Sequence, residues 1–485
     1  MQEKSVSRRE FLRLAGIAGA TVGLAGGLGG LAAACGSGET TTTTTAAPAT
    51  TTTTAPATTT TAATSGTTVT TSAEVGREIK LGIDQAITGP LAVLAIAEPW
   101  AQGLIEAKFK DGIVCGDGKN HPVKIVLRDA QSDPARAAQV AGDLILNDKV
   151  DMLMAGSGPA VCNAAADQAE SLGCPFLGTN NPWTAFVYGR KNDGKTPFKW
   201  TYLHSLGGEQ MHMCLADAFN KIPNNKKVAL LFPNDADGQA QADAKTGVPP
   251  VYQAFGYQVV VPPLYPPGTE DFTSQIAEFK KAGCDLLSGA VTPPDFSNFW
   301  SQSLQQGFHP KVPSMTLAIG FPMALEAMGN SGLNLMGEGG WNATWPFTDW
   351  ITGMTCQQLA DQYEKDTGQQ WVPAIGSTMD RYEMAFDVLK RCTNLDDKTA
   401  VVDAIKTMKL ECVGGPVDFT AALDMNPFTP DSFHPHPNVV KGTVAAHQWV
   451  KGTGKWKFEP ATVSALCFPA NSAKPPVVAP VEYVY

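Results

Sequence analysis

Apolar residues along this chain form short continuous runs that alternate with amphipathic stretches of helical period. Runs such as 123–129, 150–156 and 227–232 have the length of buried parallel strands. Stretches such as 271–282 instead repeat their apolar positions every three to four residues. Because strand and helix units alternate in two successive series, the pattern predicts an α/β fold with two doubly wound parallel-sheet lobes.

The individual elements follow from the same pattern. The predicted strands cover residues 78–86, 123–129, 150–156, 174–178, 227–232, 257–262, 284–291, 312–319 and 444–450. The predicted helices cover residues 100–110, 132–147, 160–172, 240–255, 271–282, 294–307, 356–367, 378–391 and 398–408. Ligands of doubly wound sheets bind outside the carboxyl ends of the strands, so the loops that follow the strands are the candidate site.

The start of the chain has the features of an export signal. Arg8 and Arg9 precede a Gly/Ala/Leu-rich run over 14–34, and small residues lead to Cys35. This order is typical of a twin-arginine signal ending at a lipoprotein processing site, although Ala32 stands where lipoproteins usually carry Leu. A transmembrane anchor is the alternative, but the many glycines favour export. We expect a protein lipidated at Cys35 and held on the extracytoplasmic face of the cell membrane.

Composition separates the remaining chain into a tether and a body. Residues 1–34 form the signal, and the Thr-rich residues 35–74 have almost no apolar side chains to bury, which predicts a disordered tether. The net charge is -10; the signal carries four basic and two acidic residues, so the remainder carries -12. Such an acidic protein is a poor partner for nucleic acid. Nine cysteines remain besides Cys35, and their pairing is open.

Five motifs in the body occur in the order known from one family. They are IDQAITGPLA at 83–92, DAQSDP at 129–134, PGTEDFT at 267–273, QGFHPK at 306–311 and GGPVDF at 414–419. Together they resemble the type I periplasmic solute-binding proteins, the branched-chain amino acid-binding group. The resemblance spans nearly all of residues 75–463. It implies a monomeric, non-enzymatic Venus-flytrap receptor that closes over a small solute and delivers it to the permease of an ABC importer.

The resemblance also implies how the chain divides between the lobes. Residues 75–199 would begin lobe one and residues 200–337 would begin lobe two. Residues 338–418 would complete lobe one, and residues 419–485 would return to lobe two and end in a Pro-rich tail.

Ligand contacts are implied for loops of both lobes. On lobe one they are Thr88, Gly89, Leu94, Ser157, Gly158, Gly178, Thr179, Asn180 and Asn181. On lobe two and near the cleft they are Asp235, Asp237, Thr292, Phe321, Trp341 and Trp345. Ser157 would stand at a helix N-terminus, which favours an anion. Each of these residues also has a purely structural interpretation as a cap, a turn residue or part of the core.

The sequence leaves the solute open. Amino acid binders of this family usually present a carboxylate where this chain has Gly320 and Phe321, so Asp235 or Asp237 would have to hold an ammonium group. A small carboxylate, an amide and an amino acid-like solute are all compatible with the pattern. An exported enzyme with a cofactor and a tethered ligand sensor are the alternatives to a transport receptor.

Three other motifs do not predict a nucleotide, catalytic or metal site. Residues 189–196 match the phosphate-loop pattern, but Pro197 follows directly where a helix N-terminus is required. Ser157 lies in AGSG, which is not a nucleophile elbow. His434 and His436 lie among prolines, which is typical of a surface loop. We therefore expect no catalytic residues, no metal and no cofactor.

Overall fold

The computed structural model describes residues 73–421, 436–468 and 476–484. The expected signal, Cys35, most of the expected tether and His434 lie outside the described residues. In these three ranges, none of the helices combines the length and the apolar character that a bilayer span requires.

The elements are numbered in chain order over the described residues. The strands are β1 (Ile79–Gln85), β2 (Ile113–Val114), β3 (Asn120–His121), β4 (Val123–Asp129), β5 (Met152–Ala155), β6 (Phe176–Gly178), β7 (Thr201–Ser205), β8 (Lys227–Leu231), β9 (Gln258–Val260), β10 (Leu286–Val291), β11 (Val312–Pro313), β12 (Thr316–Leu317), β13 (Met336–Gly339), β14 (Lys409–Cys412), β15 (Gly415–Asp418), β16 (Val439–Lys441), β17 (Val444–Lys451) and β18 (Phe458–Cys467). The helices are α1 (Glu98–Lys108), α2 (Pro134–Leu146), α3 (Pro159–Leu172), α4 (Trp183–Tyr188), α5 (Gly208–Phe219), α6 (Ala236–Ala242), α7 (Pro249–Ala254), α8 (Thr273–Ala282), α9 (Pro293–Gln305), α10 (Pro322–Met328), α11 (Cys356–Thr367), α12 (Ala374–Arg391) and α13 (Lys398–Lys406).

Two parallel sheets form the centres of two lobes. The first has the order β16-β7-β6-β5-β1-β4, and every neighbouring pair is parallel. The second has the order β11-β10-β8-β9, with β12 also beside β10. A third, antiparallel sheet, β13-β17-β18, belongs to lobe two. The prediction of an α/β fold with two parallel-sheet lobes is confirmed.

Each parallel sheet is covered by apolar side chains on both faces. Along β5, Met152 and Met154 join the core beneath α12, while Leu153 and Ala155 join the core beneath α2 and α3. Successive strand side chains point to opposite faces, so a strand packed on both sides is apolar throughout. The continuous apolar runs of the sequence have this cause.

In the described part of the chain, three segments lie side by side and connect the lobes. They follow β7, β13 and β16, and they lead into α5, into the loop before α11 and into β17. The backbone N–H of Gly442 in the third segment donates to the Ser205 carbonyl in the first, at 2.9 Å. We call these three segments the hinge. β16 itself belongs to the first sheet through its pairing with β7, although it lies within residues 419–485.

Two predicted elements are wrong in detail. The helix predicted over 240–255 is two short helices, α6 and α7, because the Asp243 carboxylate accepts from the N–H groups of Lys245 and Thr246 and forms a turn between them. The strand predicted over 312–319 is divided into β11 and β12. Between them the Met315 N–H donates to the Met336 carbonyl of β13, which draws the chain away from β10.

Candidate functional site

A cavity of about 230 Å³ lies between the lobes, at the carboxyl ends of the parallel strands. Lobe one contributes Leu91, Leu94, Gly158, Pro159, Ala160, Asn180, Pro182, Pro373, Ala374, Ser377, Asp380 and Gly414. The hinge contributes His204, Ser205, Leu206, Gly339, Gly340, Gly442 and Thr443. Lobe two contributes Met211, Pro233, Asp235, Ala236, Asp237, Gln241, Ala290, Val291, Thr292, Thr316, Leu317, Gly320, Phe321 and Glu338. We call these residues the cavity wall.

Helices begin at the cavity from both lobes. Gly158 is the N-cap of α3, and Thr292 is the N-cap of α9. Because Ser157 and Gly158 both have positive φ, 64° and 77°, the chain turns sharply from β5 into α3. The first turn of a helix leaves backbone N–H groups without intrahelical partners, and the helix dipole favours negative charge there. The Gly158 end of the cavity therefore suits an anionic or hydrogen-bond-accepting group.

The charged side chains of the cavity wall are acidic. They are Asp235, Asp237, Glu338 and Asp380, and the wall as described has neither lysine nor arginine. Asp235 caps α6 by accepting from the Gly238 N–H at 2.8 Å. Asp380 accepts from the Gly414 N–H at 2.7 Å and lies 3.5 Å from His204 Nε2. Asp237 and Glu338 each keep one buried carboxylate oxygen without a hydrogen-bond partner among the described residues.

Asp237 is oriented by a chain of buried hydrogen bonds. The Gln241 amide donates to Asp237 Oδ2 at 2.9 Å, and its oxygen lies 3.1 Å from His212 Nε2. The other ring nitrogen of His212 lies 2.9 Å from the Tyr252 hydroxyl, which donates to Ser288 at 2.7 Å. This arrangement fixes the Gln241 amide and leaves Asp237 Oδ1 as the unpartnered oxygen. Burial raises the pKa of Asp237 to about 6.

Glu338 is the acidic residue that sequence reasoning missed. It lies in the short strand β13, and its side chain is buried in the cavity wall. Burial raises its pKa to about 8, because the ionised form loses its hydration. A glutamate between glycines in a buried segment, as in Gly337-Glu338-Gly339, is the signal that could have identified it.

Seven of the residues implied by the resemblance belong to the cavity wall. They are Leu94, Gly158, Asn180, Asp235, Asp237, Thr292 and Phe321. Leu94 and Phe321 are apolar surfaces on opposite lobes, and the Asn180 amide donates to the Leu94 carbonyl at 3.3 Å. The structure thus brings candidates from both lobes around one cavity, and their role in binding stays a prediction.

The other eight residues lie outside the cavity wall, and six of them have partners elsewhere in lobe one. Ser157 is fully buried, and its hydroxyl donates to Gln85. Thr179 accepts from Arg381, and the Asn181 amide donates to Asn163. The Thr88 hydroxyl donates to Asp129, Gly89 lies against Ser132, and Gly178 lies within β6 against Leu203.

Trp341 and Trp345 pack in the core of lobe one. Trp341 is 1% exposed and makes an edge contact with Trp371, with ring centroids 5.5 Å apart. Trp345 makes edge contacts with Phe347 and Phe468. The sequence allowed either ligand binding or core packing for these two tryptophans, and the contacts are those of core packing.

A second acidic cluster extends from Asp380 of the cavity wall into lobe one. Asp380, Glu383 and Cys412 place possible metal-ligand atoms within 4.8 Å of one another. Both carboxylates, however, accept backbone N–H groups, from Gly414 and from Val413. Burial raises the pKa of Glu383 and of Cys412 well above their usual values, and neighbouring acidic groups raise them further. Glu383 and Cys412 therefore hold their protons, and both carboxylates are already bonded to the backbone, so the cluster is a poor ligand set for a metal ion.

Comparison with known proteins identifies the family of this chain. A sequence profile described as periplasmic binding protein matches residues 78–429. A leucine-binding protein from Thermotoga maritima is similar in structure with a TM-score of 0.61, at 16% identity, covering 80% of this chain and 99% of that one. An ABC transporter solute-binding protein from Rhodopseudomonas palustris, in complex with 3,4-dihydroxybenzoic acid, has a TM-score of 0.62 at 21% identity, covering 81% and 99%.

A branched-chain amino acid transporter substrate-binding protein from Streptococcus pneumoniae, in complex with isoleucine, is also similar. Its TM-score is 0.59 at 17% identity, and the alignment covers 79% of this chain and 99% of that one. At these identities the likeness to solved structures concerns the fold.

Proposed function

Because this chain belongs to the periplasmic binding protein family, we propose that it is an extracytoplasmic solute-binding lipoprotein of an ABC importer. It captures a small solute between its lobes as a monomer, without catalysis, and delivers the solute to a membrane permease. The twin-arginine-type signal and Cys35 support export and lipid anchoring. The Thr-rich tether gives the body the reach to meet a permease in the same membrane.

The solute is amino acid-like, with a positively charged amino group. The observation that carries this assignment is the pair of unpartnered oxygens on Asp237 and Glu338. A buried polar atom without a partner is costly, so an ammonium group that donates to these oxygens would be strongly favoured. A solute with a carboxylate and no amino group would leave these two oxygens without a donor.

The rest of the solute fits the other side of the cavity. A carboxylate of an amino acid-like solute would lie near Gly158, at the N-terminus of the 14-residue helix α3. The apolar body would contact Leu91, Leu94 and Phe321. The volume of about 230 Å³ is smaller than that of typical drug-sized pockets, which favours a small solute.

Matched pairs of compounds test the assignment. The purified protein is unfolded and refolded to remove carried-over solute, and its Tm is measured with leucine against 4-methylpentanoic acid and with phenylalanine against 3-phenylpropanoic acid. We expect one of the amino acids to raise the Tm by several degrees at about a hundredfold excess over its Kd, and its deaminated partner to have no effect. A larger shift with the deaminated acids would contradict the amino group assignment. Turnover of any bound compound would contradict the receptor function itself.

A further inference from the structure

Two cysteine thiols meet where α5 packs on the third sheet. Cys214 lies in α5 and is fully buried, whereas Cys467 is the last residue of β18 and is half-buried. The neighbouring Cys214 thiol, together with burial, raises the pKa of Cys467 well above its usual value. Both residues are thiols in this structure.

Backbone contacts on both sides hold the pair in place. The Cys214 thiol donates to the carbonyl of Val444, at 3.7 Å, and Val444 is the ladder partner of Cys467 in the β17–β18 pair. The Cys467 thiol donates to the carbonyl of Gln210, at 3.6 Å, one helical turn before Cys214. Each sulfur therefore contacts the backbone beside the other cysteine.

Further bonds fix the register between the same two elements. The Ser464 hydroxyl donates to Asp217 at 2.5 Å, and the Lys221 ammonium group donates to the Val463 carbonyl at 2.5 Å. Because polar contacts anchor α5 against β18, the two thiols are held together by packing that does not depend on them.

We propose that Cys214 and Cys467 are joined by a disulfide bond in the exported protein. This inference rests on the export that the proposed function includes, because disulfides persist outside the cytoplasm and thiols are kept reduced within it. It does not depend on the identity of the solute. The bond ties the final strand of lobe two to α5.

A small disulfide compound such as oxidised glutathione is a sufficient oxidant. Cys467, the more accessible of the two thiols, loses its proton and attacks one sulfur, which releases one glutathione thiolate and leaves a mixed disulfide. Cys214 then loses its proton and attacks the Cys467 sulfur, which releases the second glutathione. Two cysteine thiols are oxidised to one disulfide, and one glutathione disulfide is reduced to two thiols. Because the pKa of Cys467 is raised, its thiolate is a poor leaving group, so the bond once formed exchanges slowly with other thiols.

Peptide mapping of the full-length protein tests the disulfide. Thiols are blocked by alkylation at the moment of lysis, the protein is unfolded and digested without reductant, and the peptides are identified by mass spectrometry. We expect one linked peptide pair that contains Cys214 and Cys467, and a Tm that falls by several degrees when reductant is added. Full alkylation of both cysteines would overturn the proposal, as would linkage of either one to another cysteine.

Two cysteine variants distinguish the effect of this disulfide from the effects of other cysteines. Cys284→Ser, which changes a buried cysteine elsewhere in lobe two, should keep both the linked peptide and the response of the Tm to reductant. Cys214→Ser should abolish the linked peptide and leave Cys467 open to a mixed disulfide with added oxidised glutathione. If the variant does not fold, the linked peptide from the unchanged protein still decides the question. Solute affinity is measured in parallel, so a failed solute assignment is distinguished from a failed disulfide.

Discussion

The hydroxyl of Ser157 donates to the side-chain oxygen of Gln85 at 2.5 Å, and it accepts from the backbone N–H of Ala86 at 3.2 Å. Both bonds are buried in lobe one. The residue that the sequence singled out for an anion therefore directs its hydroxyl inward, to the strand beside it.

Ser157→Ala should lower stability, because the Gln85 oxygen and the Ala86 N–H lose a buried partner. We expect the free energy of unfolding in urea to fall by about 1–3 kcal/mol. Asn180→Ala, in the cavity wall, should instead weaken solute binding in calorimetry with a smaller loss of stability. A change in stability within about 0.5 kcal/mol for Ser157→Ala would contradict this structural role.

Arg381→Met should destabilise lobe one severely. Arg381 forms an ion pair with Glu98, both are almost fully buried, and the Tyr382 hydroxyl donates to the other Glu98 oxygen at 2.8 Å. Removing the guanidinium group leaves a buried carboxylate without its counter-charge, which costs about 3–5 kcal/mol. The measurement is urea unfolding, and Arg381→Met combined with Glu98→Gln should recover part of the loss. An equal or larger loss in the double variant would contradict the pairing argument.

Gln241→Leu should weaken binding of an amino acid without changing the response to deaminated acids. The Gln241 amide orients Asp237, so its loss leaves the carboxylate free to rotate away from the ammonium position. Hydrogen bonds to charged groups are worth about 1.5–3 kcal/mol, so we expect a rise in Kd of about tenfold or more, measured by calorimetry. Gln239→Leu is the matched control, because Gln239 lies on the same helix and donates to Asn234 instead. Equal effects of the two changes would contradict the positioning role.

Glu338 should make the stability of the solute-free protein fall as pH rises. Burial raises its pKa from 4.5 to about 8, so it stabilises the folded state fully below its ordinary value and loses that contribution as pH approaches 8. Buried His212 and His447, with pKa values lowered to about 4, act in the opposite direction and destabilise the fold as pH falls below 6.5. The difference between the unchanged protein and Glu338→Gln isolates the glutamate.

The Tm of the unchanged protein minus the Tm of Glu338→Gln should decrease steadily between about pH 4.5 and pH 8. In the same interval, affinity for an amino acid should increase, because the ammonium group favours the ionised carboxylates of Asp237 and Glu338. Calorimetry in buffers of different ionisation enthalpy should detect proton release on binding. A pH-independent difference in Tm would contradict the buried state of Glu338.

Cys35→Ala should release the protein from the membrane. Without the thiol there is no site for the lipid, and the acidic body has little affinity for an anionic bilayer. Cell fractionation and immunoblotting measure the shift from the membrane fraction to the soluble fraction. Cys284→Ala should stay membrane-associated, and continued membrane association of Cys35→Ala would contradict lipidation at Cys35.

The sequence predicted those elements whose apolar residues have a clear period or whose helix has a clear N-cap. The start of α2 is one example: Asp133 accepts from the Arg136 N–H at 2.7 Å, and Pro134 opens the helix, as Asp-Pro predicts. Helix α5 was missed; it is buried on nearly every side, including at Glu209 and His212, so its polar residues do not mark a solvent-exposed face.

The candidate site was predictable only at the level of loops. Asp235 and Asp237 are two residues apart, yet Asp235 caps α6 whereas Asp237, in the first turn of that helix, faces the cavity with an unpartnered oxygen. That difference arises from Gln241 and from His212, which packs from a different helix. Glu338 reaches the same cavity from β13, a strand too short to show a period, so its position depends on tertiary contacts that no local pattern records.

The position of β16 has a consequence for synthesis. This strand, Val439–Lys441, completes the edge of a sheet whose other strands lie between residues 79 and 205. Lobe one begins to emerge first from the ribosome, but its sheet cannot be completed until residue 441 has been synthesised. Folding of this lobe therefore ends late in synthesis. A translocation route that accepts folded proteins, as the paired arginines predict, would carry this lobe across the membrane with its sheet already complete.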